Sequence, residues 1–172
     1  MTEGSWAGSD FTRPPVSGTG VALCGACARL GDCRLGLGLE RLMEDGSVDT
    51  DLVCTDEHEG GPGVAHGGWT AGVLDEVLGH VPMLHGQLAV TGQLSVTYVK
   101  PVPVGRSLHA RAWIERKEGR RWYVAGELTL TATGAVLARG EAVMVARDPG
   151  HFERHREWLA AQDADEPQAA ID

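Results

Sequence analysis

His66, Gly67, Gly68 and Asp75 are the residues best placed to do chemistry. They lie in the run Gly60-Gly61-Pro62-Gly63-Val64-Ala65-His66-Gly67-Gly68-Trp69-Thr70-Ala71-Gly72-Val73-Leu74-Asp75-Glu76. Glycines at a helix entrance leave backbone N–H groups without intrahelical acceptors, at the positive end of the helix dipole. Without Cβ atoms they let a ligand carbonyl come close. Donors so placed polarise a carbonyl and stabilise the oxyanion that forms from it. Asp75 adds a carboxylate that activates water or attacks directly. The chain has no Gly-x-Ser-x-Gly elbow, no Walker-type phosphate loop and no His-Glu-x-x-His helix. Hydrolysis by a carboxylate and a helix N-terminus is the chemistry left open.

His66 and Asp75 are nine residues apart. On one helix that separation is roughly 13 Å of rise and half a turn, so the two cannot meet within one chain. Two such helices packed antiparallel across a two-fold axis would bring Asp75 of one subunit to His66 and Gly67 of the other. This geometry predicts a composite site at a dimer interface, two per dimer. Glu76 points about 100° away from Asp75 around the helix, so only one of the two acids faces such a site.

The elements that must position these groups follow from periodicity. Turn formers precede His66, and Trp69, Val73, Leu74, Val77, Leu78 and Val81 then recur at helical spacing up to Pro82, which cannot donate to a continuing helix. Before this helix, Leu35 to Leu42 alternates as a strand, Asp45-Gly46 signals a hairpin, and Ser47 to Cys54 returns. After it, Leu88, Val90, Gly92, Leu94, Val96 and Tyr98 alternate with Ala89, Thr91, Gln93, Ser95 and Thr97. Pro101 and Pro103 end that strand. Strands over about 108–116, 122–131 and 136–146 follow, with turns at Glu118-Gly119 and Thr133-Gly134, and the four strands after the helix are expected to form one meander. A helix that is apolar nearly all round needs a sheet curled about it. The expected architecture is α+β, an antiparallel sheet wrapped around one long central helix. Residues 1–22 are expected to form a flexible segment, 23–148 the domain, 149–162 a short helix opened by Asp148-Pro149, and 163–172 a flexible tail.

With 172 residues and 42% hydrophobic content, one domain with a sizeable core is expected. A formal charge of -9 argues against nucleic acid or an anionic membrane as partner. The chain lacks a transmembrane-length apolar run and a signal pattern at its start, so a cytoplasmic location is expected. Cys24-Gly-Ala-Cys27, Cys33 and Cys54 invite a zinc reading. The chain holds only half of a four-ligand signature, and the expectation is reduced thiols with no bound metal. Arg116, Lys117, Arg120 and Arg121 form the densest basic cluster, at the Glu118-Gly119 turn. On composition alone the cluster is as compatible with a solvated hairpin tip as with a phosphate clamp.

Gly-Pro-Gly-x-x-His66-Gly-Gly, then Asp75-Glu76, then Tyr98-Val-Lys-Pro-Val-Pro-Val-Gly105 resembles the hotdog-fold acyl-CoA thioesterases of the phenylacetate-pathway type, over about 35–146. The resemblance implies a hotdog fold, an acyl-CoA substrate, no cofactor, and a homodimer or a tetramer built as a dimer of dimers. It also implies residue roles. Asp75 would be the general base or nucleophile, and Gly67 the N–H that polarises the thioester carbonyl. His66 would brace that loop, and Thr91 would help hold the attacking water. Gly68, Tyr98, Arg116, Lys117, Arg120 and Arg121 would bind substrate, Tyr98 and the basic hairpin lining the coenzyme A groove. Similar proteins carry the Cys24-x-x-Cys27 pair with no zinc role. The sequence departs from many members at Gly60, where they carry Asn. Acyl-thioester hydration and non-catalytic acyl-CoA binding are the competing functions on this fold, and the signature of the former is absent.

Overall fold

A computed structural model describes residues 16–18 and 20–163. Of the expected tail at 163–172, Asp163 ends a helix, and residues 164–172 lie outside the described residues, as does most of the expected N-terminal segment. The core begins earlier than residue 23, because Val21 and Ala22 are buried in it. In chain order the elements are α1 (Gly25–Leu30), β1 (Arg41–Leu42), β2 (Val48–Val53), a 3-10 turn (Asp56–His58), β3 (Glu59–Gly61), β4 (Val64–Ala65), α2 (Gly67–Leu84), β5 (Ala89–Tyr98), β6 (Ser107–Glu118), β7 (Arg121–Leu130), β8 (Ala135–Ala146) and α3 (His151–Asp163). Six strands form one antiparallel sheet in the order β1-β2-β6-β7-β8-β5. β3 and β4 form a separate hairpin.

The helix α2 lies on this sheet and touches five of its strands. Val73, Leu74, Val77, Leu78 and Val81 are buried on it against Leu108, Val124, Leu128 and Met144 of the sheet. The approach is close because the cross-strand neighbours Gly126 and Gly140 lie beneath Leu78. A Cβ at Gly140 would stand 2.9 Å from Leu78 Cδ1. Among the described residues no helix is long and apolar enough to cross a membrane.

Three local expectations are corrected. The helix continues through Pro82 to Leu84. A proline in the last turn removes one donor, and chain reversal is completed beyond it by Gly86 N–H to Met83 O and Gln87 N–H to Pro82 O. The strand expected over 35–42 shortens to Arg41–Leu42, with Leu37 forming an isolated bridge to Leu52. Gly36 takes φ 79° there, a left-handed conformation that no strand continues through. The meander covers β6, β7 and β8 alone. β5 pairs with β8, because the proline-containing connection from Val99 to Arg106 carries the chain across the sheet instead of turning tightly.

One irregularity in β5 matters most for function. Thr91 pairs with Met144 and Gln93 with Val143, which leaves Gly92 as an extra residue. A bulge of this kind reverses the alternation of the strand. Ala89 and Thr91 face α2 before it, and Leu94 and Val96 face the core after it.

Candidate functional site

Asp75 projects from the middle of α2 toward the start of β5. Thr91 Oγ1 donates to Asp75 Oδ1 at 2.9 Å. The pair lies on a cavity of about 480 Å³, whose walls include Met83, Leu88, Val90 and Met144. Glu76 lines the same cavity and is committed elsewhere, with Oε1 3.3 Å from His80 Nε2. His80 Nδ1 is 2.6 Å from Glu40 Oε1. Burial alone would lower the His80 pKa. The hydrogen bonds and charges of Glu40 and Glu76 outweigh it and hold His80 at about 9. His80 is therefore an imidazolium between two carboxylates, and Asp75 is the acid left with a hydroxyl partner. No local pattern marks Glu40, which is 40 residues from His80.

The other end of α2 holds the second group. His66 is the N-cap, and its Nδ1 accepts the Gly68 N–H at 2.9 Å. This corrects the expectation that both glycine N–H groups are free. Among the described residues, no acceptor engages the Gly67 N–H. The Tyr98 hydroxyl donates to Gly67 O at 2.8 Å and fixes the first peptide of the helix. The two halves of the sequence signature pair here. Ala65 N–H donates to Val102 O at 2.8 Å, and Val104 N–H to Gly63 O at 3.1 Å. Gly60 is explained as well, since a Cβ there would stand 2.7 Å from His66 Cα. Gly67 and Tyr98 line a cavity of about 330 Å³ together with Lys100, a cation the sequence reading did not single out. Trp69 is buried and stacks on His58 with ring centroids 6.0 Å apart.

The two cavities share no lining residue. Gly67 and Asp75 lie about 12 Å apart along the helix axis. Within one chain, the acid with its hydroxyl and the helix N-terminus therefore belong to separate sites.

The basic hairpin lies at the Asp75 end of the sheet. Thr91, Met144, Trp122 and Lys117 are successive partners across β5, β8, β7 and β6. At strand spacing this puts Lys117 about 14 Å from Thr91, backbone to backbone. Arg116 donates to Glu118 at 2.8 Å, its guanidinium lies over the Tyr123 ring, and Lys117 lies over Trp122. Arg120 and Arg121 make no ion pair among the described residues.

Cys24, Cys27 and Cys33 line a third cavity, whereas Cys54 does not. Among the described residues no group of three or more His, Cys, Asp or Glu side chains is arranged to hold a metal ion.

A long helix capped by His-Gly-Gly, carrying Asp75 and cradled in an antiparallel sheet, can be set beside known proteins. The family model of the thioesterase superfamily matches residues 62–137. Residues 62–137, less than half of the chain, are thus similar to that superfamily, and the antiparallel sheet around one long helix is the hotdog fold. It is 26% identical over 118 residues to the acyl-coenzyme A thioesterase THEM4 of Rattus norvegicus, covering 66% of this chain and 51% of that protein. It is 26% identical over 97 residues to acyl-coenzyme A thioesterase 13 of Homo sapiens, covering 55% of this chain and 69% of that one. A crystal structure of a phenylacetic acid degradation-related protein of Ralstonia eutropha is 28% identical, with TM-score 0.60, covering 72% of this chain and 92% of that one. The chain thus spans about half the length of the THEM4 relative, 51%. The matched segment holds Gly67, Asp75, Thr91 and Tyr98 together with the basic hairpin.

Proposed function

We propose that this protein hydrolyses acyl-CoA thioesters to free acid and CoA, in sites shared between two copies of the chain. The observation that carries this reading is the Asp75–Thr91 hydrogen bond on the wall of a cavity with an apolar side, within a thioesterase-superfamily fold. The thioester carbonyl accepts the free Gly67 N–H at the start of α2, where the helix dipole favours the developing oxyanion. His66 and Tyr98 hold that peptide in place. Asp75 from the other copy takes the proton of the attacking water, and Thr91 fixes the carboxylate by donating to one of its oxygens. Collapse of the tetrahedral intermediate expels the CoA thiolate, which takes up the proton. The net reaction consumes one water and leaves a carboxylic acid and a thiol. Arg120 and Arg121, which make no ion pair among the described residues, meet the phosphates of CoA.

A thiol-reactive dye that reports free CoA from a panel of acyl-CoA esters tests this. Release that depends on enzyme concentration is the expected result. Tight acyl-CoA binding without release would make the protein a carrier.

A further inference from the structure

The proposed chemistry leaves the cysteines unused, and three of them share one cavity. Cys24, Cys27 and Cys33 line a space of about 350 Å³ with Arg34, His58 and Glu76. All are free thiols; Cys24 is half-buried, and Cys27 and Cys33 are buried. Cys24 caps α1, and Cys27 follows one turn later. The Cys27 sulfur accepts the Arg34 N–H at 3.4 Å and a hydrogen bond from the Cys24 side chain. Burial opposes ionisation of Cys27, but those hydrogen bonds and the Arg34 charge outweigh it, so this thiol ionises below its ordinary range. Burial pushes Cys33 up instead. Cys24 has a second role in the fold, because it also forms part of the wall of the cavity that holds Asp75.

We propose that Cys24 and Cys27 are a thiol-modification site, a dithiol that a hydroperoxide oxidises reversibly to an intrachain disulfide. Cys24 is the thiol an incoming oxidant can reach. Its sulfur attacks one peroxide oxygen, the O–O bond breaks, and an alcohol leaves with a proton, so that Cys24 becomes a sulfenic acid. The Cys27 sulfur then attacks the Cys24 sulfur and displaces hydroxide, which leaves as water with the remaining thiol proton. Two electrons pass from the dithiol to the hydroperoxide, giving one disulfide, one alcohol and one water. Cys24 belongs to both cavities, so the bond alters the wall that it shares with Asp75. The effect on turnover rests on the thioesterase reading; the disulfide itself does not.

The test uses the whole chain, exposed to tert-butyl hydroperoxide, alkylated and digested with trypsin. Cys24 and Cys27 fall in one tryptic peptide and Cys33 in the next, because Arg29 separates them. The expected result is a Cys24–Cys27 peptide lighter by about 2 Da for the two hydrogens lost, unalkylated, and restored by dithiothreitol, with Cys54 still alkylated. In Cys27→Ser the sulfenic acid at Cys24 persists and is trapped by dimedone. Full alkylation of both thiols after treatment, or a Cys24–Cys33 bond instead, would overturn the assignment. A disulfide that forms yet leaves acyl-CoA turnover unchanged would overturn the link to the Asp75 cavity.

Discussion

Thr91 and Asp75 are hydrogen-bonded at 2.9 Å because the bulge at Gly92 turns Thr91 onto the helix-facing side of β5. In an unbroken strand Thr91 would share the face of Gln93, Ser95 and Thr97, opposite Leu94 and Val96. The extra residue reverses that parity, so one strand supplies both a core face and a hydroxyl for the acid. The bulge also has no room for a side chain, since a Cβ at Gly92 would stand 2.8 Å from Val145 Cγ2.

Asp75→Asn is expected to reduce kcat by at least about a hundredfold, the scale of general-base removal. Thr91→Val removes one hydrogen bond to the carboxylate and is expected to reduce kcat by about tenfold. The check is kinetics on folded variants with circular dichroism matching the parent. Full activity in Asp75→Asn would move the chemistry away from this acid.

Reversing Arg120 and Arg121 to Glu is expected to raise KM for CoA thioesters by about tenfold and leave kcat nearly unchanged. Thioesters of pantetheine, which lack the distal phosphates, should respond far less. Arg116 is a poorer choice for this test, because it is already hydrogen-bonded to Glu118 and stacked on Tyr123.

The His80 network predicts a pH-dependent stability. The folded-state pKa is raised from 6.5 to about 9, so the folded protein binds the proton more tightly than the unfolded chain does. The stabilisation is fully present below pH 6.5 and is lost as pH rises through about 9. Tm measured from pH 6 to pH 10 should fall across that window, and the fall should shrink in Glu40→Gln. Replacing His80 with Leu leaves Glu40 buried without its counter-charge and is expected to cost about 3–5 kcal/mol. A Tm that does not change with pH would remove the ion pair from the account.

Gly60→Asn introduces the residue that the family resemblance implies at this position and is expected to harm this protein. The new Cβ meets the His66 backbone at 2.7 Å, so the N-cap must shift. Overpacking of this kind costs about 1–3 kcal/mol, and the Gly67 peptide, proposed to polarise the carbonyl, moves with it. Thermal unfolding and kcat measured together would reveal both effects; an unchanged pair would mean that the β3–β4 hairpin yields freely.

The proposed sharing of each site between two copies predicts complementation. Asp75→Asn and a chain with a bulky residue at Gly67 should each be inactive alone. Refolded together, they form mixed dimers in which one site carries both defects and the other carries none, so part of the activity returns. Heterodimers seen by mass spectrometry that stay inactive would place the chemistry within one chain.

What the sequence determined by itself was local. The 3.6-residue spacing from Trp69 to Val81, the period-two runs of the later strands and the turns at Glu118-Gly119 and Thr133-Gly134 were legible because each depends on neighbours within a few residues. His66, Gly67 and Asp75 were legible for the same reason, since they are consecutive features of one loop and helix. Only the tertiary structure decided that β5 pairs with β8, that Gly92 bulges, and that Gly68 spends its N–H on His66. It also decided that Glu40 reaches across the fold to His80 and thereby distinguishes Glu76 from Asp75. Gly92 in a strand pattern was the one available hint of the bulge. Strand partners and buried ion pairs form between residues far apart in the chain, and their energies depend on which surfaces the helix and sheet bury together. Periodicity records which face of an element is apolar; the packed fold selects what that face meets.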